Sequence, residues 1–177
     1  ISSNHSIVAY FSANVYTITA SAGIGGIISP VGEIAVEYGN DRMFTISPEV
    51  GFEIRDVYID SVAVGAVGNY TFHAVTENHS ISVVFNRQAF TITLLAGSHG
   101  SVIPSGPNIV NYGDTLSIAI IPDTGYNVFD VNVDSISIGG VLGYVFADIR
   151  ANHRLEAFFA ANQAPTAPFL ISPNDGD

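Results

Sequence analysis

Asp56-Val57-Tyr58-Ile59-Asp60-Ser61-Val62 returns 74 residues later as Asp130-Val131-Asn132-Val133-Asp134-Ser135-Ile136. Both copies have the same parts. An acid opens the stretch, apolar residues alternate with others, and a two-residue Asp-Ser link separates two apolar runs. Alternation at period two is a strand signal. A two-residue polar link between apolar runs is a hairpin signal, slightly weaker here than Asp-Gly. The stretch reads as a hairpin, and its return makes the chain a tandem repeat.

Outward from the hairpin the register holds without a gap. Tyr16 to Phe85 aligns with Phe90 to Phe159, and about 25 of 70 positions are identical. Tyr16-Thr17-Ile18-Thr19 falls on Phe90-Thr91-Ile92-Thr93, and Asn78-His79 on Asn152-His153. The same offset places Asn4-His5-Ser6-Ile7 on Asn78-His79-Ser80-Ile81. Residues 1–11 therefore read as the last strand of a preceding repeat, with Ile7, Ala9 and Phe11 on one face. That strand is a candidate for pairing between subunits. The organisation expected is residues 1–11 as this strand, modules at 15–86 and 89–160, and a tail at 161–177. The short join between modules, Asn86 to Ala89, spans at most ~14 Å, which predicts modules that touch end to end as a semi-rigid rod.

The repeated residues are mostly backbone signals. Gly26, Pro30, Gly39, Gly51, Asp60 and Gly65 read as turn-setting positions, as do Gly100, Pro104, Gly113, Gly125, Asp134 and Gly139. Between them lie eight short apolar alternations per copy. In the fifth, the apolar parity moves from Phe52 and Ile54 to Val57 and Ile59, which predicts a bulge near Asp56. No segment holds a 3.6-residue period with caps, so no long helix is expected. The fold class is all-β: tandem small antiparallel modules, β-grasp-like or sandwich-like.

Composition narrows the function. The chain has no Cys, no Lys, five basic residues against 16 acids, and a formal charge of −11. Such a surface repels nucleic acid and anionic membranes. No apolar run is long enough for a membrane helix. The recurring Asn-His pairs read as turns before the last strand. Asp56, Asp60, Asp130 and Asp134 are the candidate cation ligands. Calcium prefers six or more oxygens, so a turn-and-solvent role is preferred for them. No nucleophile elbow or cofactor motif is present, so no catalytic or cofactor-binding residue is assigned. His73 and His99 do not repeat and are expected at the surface. Tyr10 and Tyr58 have outward parity, but Tyr58 becomes Asn132, so no aromatic ladder recurs.

Tyr-Thr-Ile-Thr, Gly-Gly-x-Ile-x-Pro-x-Gly, Val-x-Tyr-Gly, Pro-x-x-Gly-Phe and Tyr-x-Phe, in this order, resemble the divergent internalin B-repeat type. That family occurs in tandem in large bacterial secreted and surface proteins. The resemblance covers residues 1–159. The chain departs from it in lacking Trp, and in having Asp-Ser where many members have Asp-Gly. Residues 165–177 resemble the opening of a fibronectin type III-like domain. The resemblance implies a small β module, a bacterial cell-surface or extracellular location, and no catalytic residues. The expected function is structural: a stalk, a spacer or a fibre subunit joined by strand exchange or end-to-end packing. Its partners would be neighbouring repeats or copies of itself. An adhesion module for a glycan or surface protein, or an accessory region of a larger enzyme, is the alternative.

Overall fold

The structure, a computed structural model, describes residues 4–163. The chain divides into two compact units, which meet between Gln88 and Ala89. Unit 1 contains β1 (Val15–Ala22), β2 (Gly26–Ser29), β3 (Gly32–Glu37), β4 (Arg42–Pro48), β5 (Phe52–Ile59), β6 (Val62–Gly65), β7 (Asn69–Phe72) and β8 (His79–Arg87). Unit 2 repeats them as β9 (Ala89–Ala96), β10 (Gly100–Ile103), β11 (Gly106–Asn111), β12 (Leu116–Pro122), β13 (Tyr126–Val133), β14 (Ile136–Ser137), β15 (Gly143–Phe146) and β16 (His153–Ala161). All described regular structure is strand, as the alternations and the absence of helical periodicity require.

Each unit has two sheets. In unit 1 a five-stranded sheet runs β3-β1-β8-β5-β6 and a three-stranded sheet runs β2-β4-β7. Unit 2 has β11-β9-β16-β13-β14 and β10-β12-β15. One core cluster per unit draws on both sheets. In unit 1 it includes Ile18 and Ala20 of β1, Phe44 and Ile46 of β4, Val57 of β5, and Ile81, Val83 and Phe85 of β8. This is the sandwich-like arrangement. Burying one Val, Leu, Ile or Phe side chain stabilises by about 1.5–3 kcal/mol, so these faces dominate each unit's stability.

The expected all-antiparallel pairing needs one correction. β1 and β8 pair in parallel, Ile18 against His79 and Ala20 against Ile81, and β9 and β16 do the same. The first and last strands of each unit thus lie side by side at the sheet centre, the grasp-like element. Parallel neighbours need a long crossover, and here the rest of the unit supplies it.

The expected bulge is present. The β5–β8 register shifts between Ile54 and Asp56, and the β13–β16 register between Val128 and Asp130. The extra residue, Arg55 or Phe129, is exposed, while Val57 and Val131 return to the core. The Asp-Ser links are also as expected. Asp60 and Ser61 have φ of 48° and 70°, and Asp134 and Ser135 have 50° and 70°. Positive φ at both central residues is the type I′ hairpin turn, whose twist matches that of the flanking strands.

Two expectations change. Gly26 and Gly100 do not set left-handed turns; they open β2 and β10. A Cβ there would lie 2.3 Å from the ring of Phe85 or Phe159, so these glycines make room for an aromatic ring. Residues 6–11 form no strand, and Ile7 and Phe11 are 94% and 95% exposed. Their counterpart β8 is a strand because β1 and β5 flank it; residues 6–11 have no flanking strand among the described residues. The tail beyond residue 163, with its fibronectin-like opening, lies outside the described residues.

Candidate functional site

The polar residues that recur in both units converge on one place, the junction of the β5–β6 hairpin with the start of β8. Asp60 sits in the type I′ turn. Its Oδ1 accepts the Ser80 N–H at 2.7 Å, and its Oδ2 lies 2.7 Å from His79 Nδ1. The His79 ring in turn packs on buried Phe72, with centroids 4.9 Å apart. One residue earlier, Asn78 Oδ1 accepts the Thr17 N–H of β1 at 2.9 Å. Asp56 lies below the turn, and its Oδ1 accepts the N–H of Val57 at 2.9 Å and of Gly65 at 2.8 Å. Gly65 has φ of 88° and lies at the register shift of β6. Asp56 therefore fills the gap that the bulge leaves in the ladder.

Unit 2 rebuilds this constellation. Asp134 accepts the Arg154 N–H at 2.9 Å and faces His153 Nδ1 at 2.7 Å. His153 stacks on Phe146 at 4.9 Å, and Asn152 Oδ1 accepts the Thr91 N–H at 2.8 Å. Asp130 accepts from Val131 N–H, Gly139 N–H and the Ser137 hydroxyl. Partial burial pushes the Asp60 carboxyl up. The His79 hydrogen bond, the Ser80 N–H and the His79 charge together outweigh it and hold the group below the usual carboxylate range. Asp134 is lowered by the same balance, with His153 and Arg154 as the opposing partners.

This geometry assigns the four candidate cation ligands to backbone and imidazole partners. No group of three or more His, Asp and Glu among the described residues is placed to hold a metal ion. An Asp-oriented His is also the base half of a catalytic triad. That chemistry needs a nucleophile on the ring, and among the described residues no hydroxyl hydrogen-bonds to His79 or His153. The arrangement works as a cross-strand tie.

Other expected positions hold their turns. Gly39, Gly51, Gly65, Gly113, Gly125 and Gly139 all have positive φ, and Pro30 and Pro104 follow cis peptide bonds. His73 and His99 are exposed, but each has a partner. His73 Nδ1 lies 2.7 Å from Asp41 Oδ2, and the His99 ring stacks on Tyr126 at 4.0 Å. A shallow depression of about 100 Å³ in unit 2 is lined by Asn132, Ser135, Arg154 and Glu156. In unit 1 these positions are Tyr58, Ser61, Ser80 and Ser82.

Sequence reading missed the His–Asp pairing, because the partners are 19 residues apart and were taken singly. One signal was available: Asp60 and His79 recur together, as Asp134 and His153.

Residues 90–133, from β9 to the end of β13, match the family model described as the divergent InlB B-repeat domain. Unit 1 is the internal repeat of that segment. No curated protein matches the chain.

Proposed function

We propose that this chain, a tandem of divergent InlB B-repeat modules, is a non-enzymatic structural segment of a bacterial secreted or cell-surface protein. It acts as a stalk or spacer. One observation carries this reading: the recurring polar side chains Asp56, Asp60, Asn78 and His79 all bond within their own unit, as do their counterparts. Repetition thus preserves the fold itself, with no outward-facing constellation repeated. Bacterial surface repeats of this family support the extracellular placement.

A second reading, a subunit of an extracellular fibre joined by strand exchange or end-to-end packing, rests on residues 6–11. They alternate like β8, expose Ile7 and Phe11, and pair with no described strand. Electron microscopy and light scattering on residues 1–177 and 12–177, at micromolar concentration, separate the two. Monomeric particles from both proteins support the spacer. Filaments or oligomers from the longer protein alone support the fibre. Saturable binding on a glycan array would overturn both in favour of adhesion.

A further inference from the structure

The sheet edges of the two units are not protected equally. In unit 1 the β3 edge carries Glu33 and Glu37, and the matching β11 edge carries Pro107, which has no N–H to offer. The opposite edges, β6 and β14, have neither charge nor proline, and every one of their residues is exposed. Val62 is 66% exposed and Ile136 is 69% exposed. The uncharged run around them extends from Ser61 to Phe72 and from Ser135 to Ala147, in a chain with 16 acids.

Between the copies, Val62 becomes Ile136 and Val64 becomes Ile138. The side chains change and the β-branched apolar character stays. Burial does not account for this. Elsewhere on the exposed surface the class does change: Thr45 becomes Ala119, Ser47 becomes Ile121 and Arg55 becomes Phe129. The cross-strand pairs Ile59–Val62 and Val133–Ile136 account for the first position. They leave Val64 and Ile138 unexplained, and with them the absence of any guard residue along the edge.

We propose that the β6 edge of unit 1, and its β14 counterpart in unit 2, pair laterally with the same edge of a second copy of this chain. Strand addition to an open edge takes its affinity from main-chain hydrogen bonds and its selectivity from the side chains beside them. A basic partner strand finds no acid here to attract it. An acidic one gains nothing and is repelled by the rest of a molecule of charge −11. The chemistry that fits is an uncharged, β-branched strand, and the edge itself is one. Pairing like with like gives an isologous two-fold contact that brings no carboxylate of either strand against another. The strands are short, so a single contact is weak, and repetition of the edge in tandem units adds avidity. The inference rests on the structural-segment reading and gives it a lateral contact.

The test is sedimentation equilibrium of residues 1–177 from about 10 μM to about 1 mM, at low salt and at high salt, where acid repulsion is screened. The expected result is a reversible rise above the 18.7 kDa monomer mass, larger at high salt. V62K/I136K places like charges across the contact and weakens self-association at least about tenfold. E33Q/E37Q makes the same net-charge change on the other edge and leaves association at least as strong. Circular dichroism melts verify that both variants fold. A monomer at every concentration and salt overturns the proposal, as does equal association of V62K/I136K and the parent. Loss of association on removing residues 1–11 overturns it in favour of segment 6–11 as the occupant. None of these outcomes bears on the spacer reading, which the micromolar microscopy and the glycan array decide.

Discussion

Unit 1 and unit 2 have one strand plan and one set of ties, and they fill the plan differently. Unit 1 places Phe44 in the three-stranded sheet and Ala20 in the five-stranded sheet; unit 2 places Ile118 and Leu94 there. Volume moves from one layer of the core to the other. Smaller exchanges run alongside: Val75 becomes Ile149 and Val83 becomes Ala157. On the outer face of the three-stranded sheet, Ser29, Thr45, Ser47 and Thr71 become Ile103, Ala119, Ile121 and Val145. The ties do not change: Asp56, Asp60, Asn78 and His79 are identical in both units. A core tolerates redistribution if total volume is kept. A tie joins two atoms at fixed geometry, and only the same residue types reproduce it.

The largest effects expected are in the core. Leu94→Ala leaves a cavity in unit 2 and costs about 2–5 kcal/mol. Ala20→Leu overfills unit 1 and costs about 1–3 kcal/mol. If the two cores are alternative fillings of one space, adding Phe44→Ile to Ala20→Leu recovers stability and the pair is non-additive. Urea unfolding, with hydrogen exchange to assign each unit, measures this. Strict additivity would break the comparison.

The ties come next. Asp60→Ala and Asp134→Ala each remove two hydrogen bonds, and each should cost about 1–2 kcal/mol, toward the lower figure because the carboxylates are partly exposed and screened. Acid sharpens the contrast. A carboxyl with a depressed folded pKa contributes stability that is present above its unfolded value, about 3.9. That stability is lost as pH falls through the folded value. Asp60 and Asp134 are both depressed, so both units weaken below about pH 4. Asp41 is also depressed, by the Ala74 N–H first and then by His73. Its position in unit 2 is Thr115. Unit 1 should therefore lose more stability on acidification, and Asp41→Asn should remove the excess. Hydrogen exchange at pH 3 and pH 6 would show equal losses if this is wrong.

The smallest effect concerns one backbone angle. Ala74 has φ of 47° and is held by Asp41; its counterpart Asp148 has φ of 50°. Aspartate tolerates the left-handed region better than alanine. Ala74→Gly should raise the stability of unit 1 by up to about 1 kcal/mol, while Asp148→Gly should change unit 2 less. A thermal melt of each variant is sufficient.

Local features were legible in the sequence. The repeat, the strands, the bulge after Ile54 and the Asp60-Ser61 turn are written in neighbouring residues, through side-chain alternation and backbone preference. The candidate site was half legible. Asp56, Asp60 and His79 stood out by recurring, but their partners did not, because a hydrogen bond between residues 19 apart leaves no period to detect. Gly26 was visible as a repeated glycine and misread as a turn, since its reason is a ring 59 positions further on.

The amino-acid sequence by itself determined that this protein is two copies of one all-β plan, since alternation and turn chemistry are properties of a few adjacent residues. Only the tertiary structure decided that β1 lies parallel to β8, that Gly26 makes way for Phe85, and that Asp60 ties its hairpin to His79. Those facts depend on which strands meet across a shared core, and that choice is made by the packing of the whole unit.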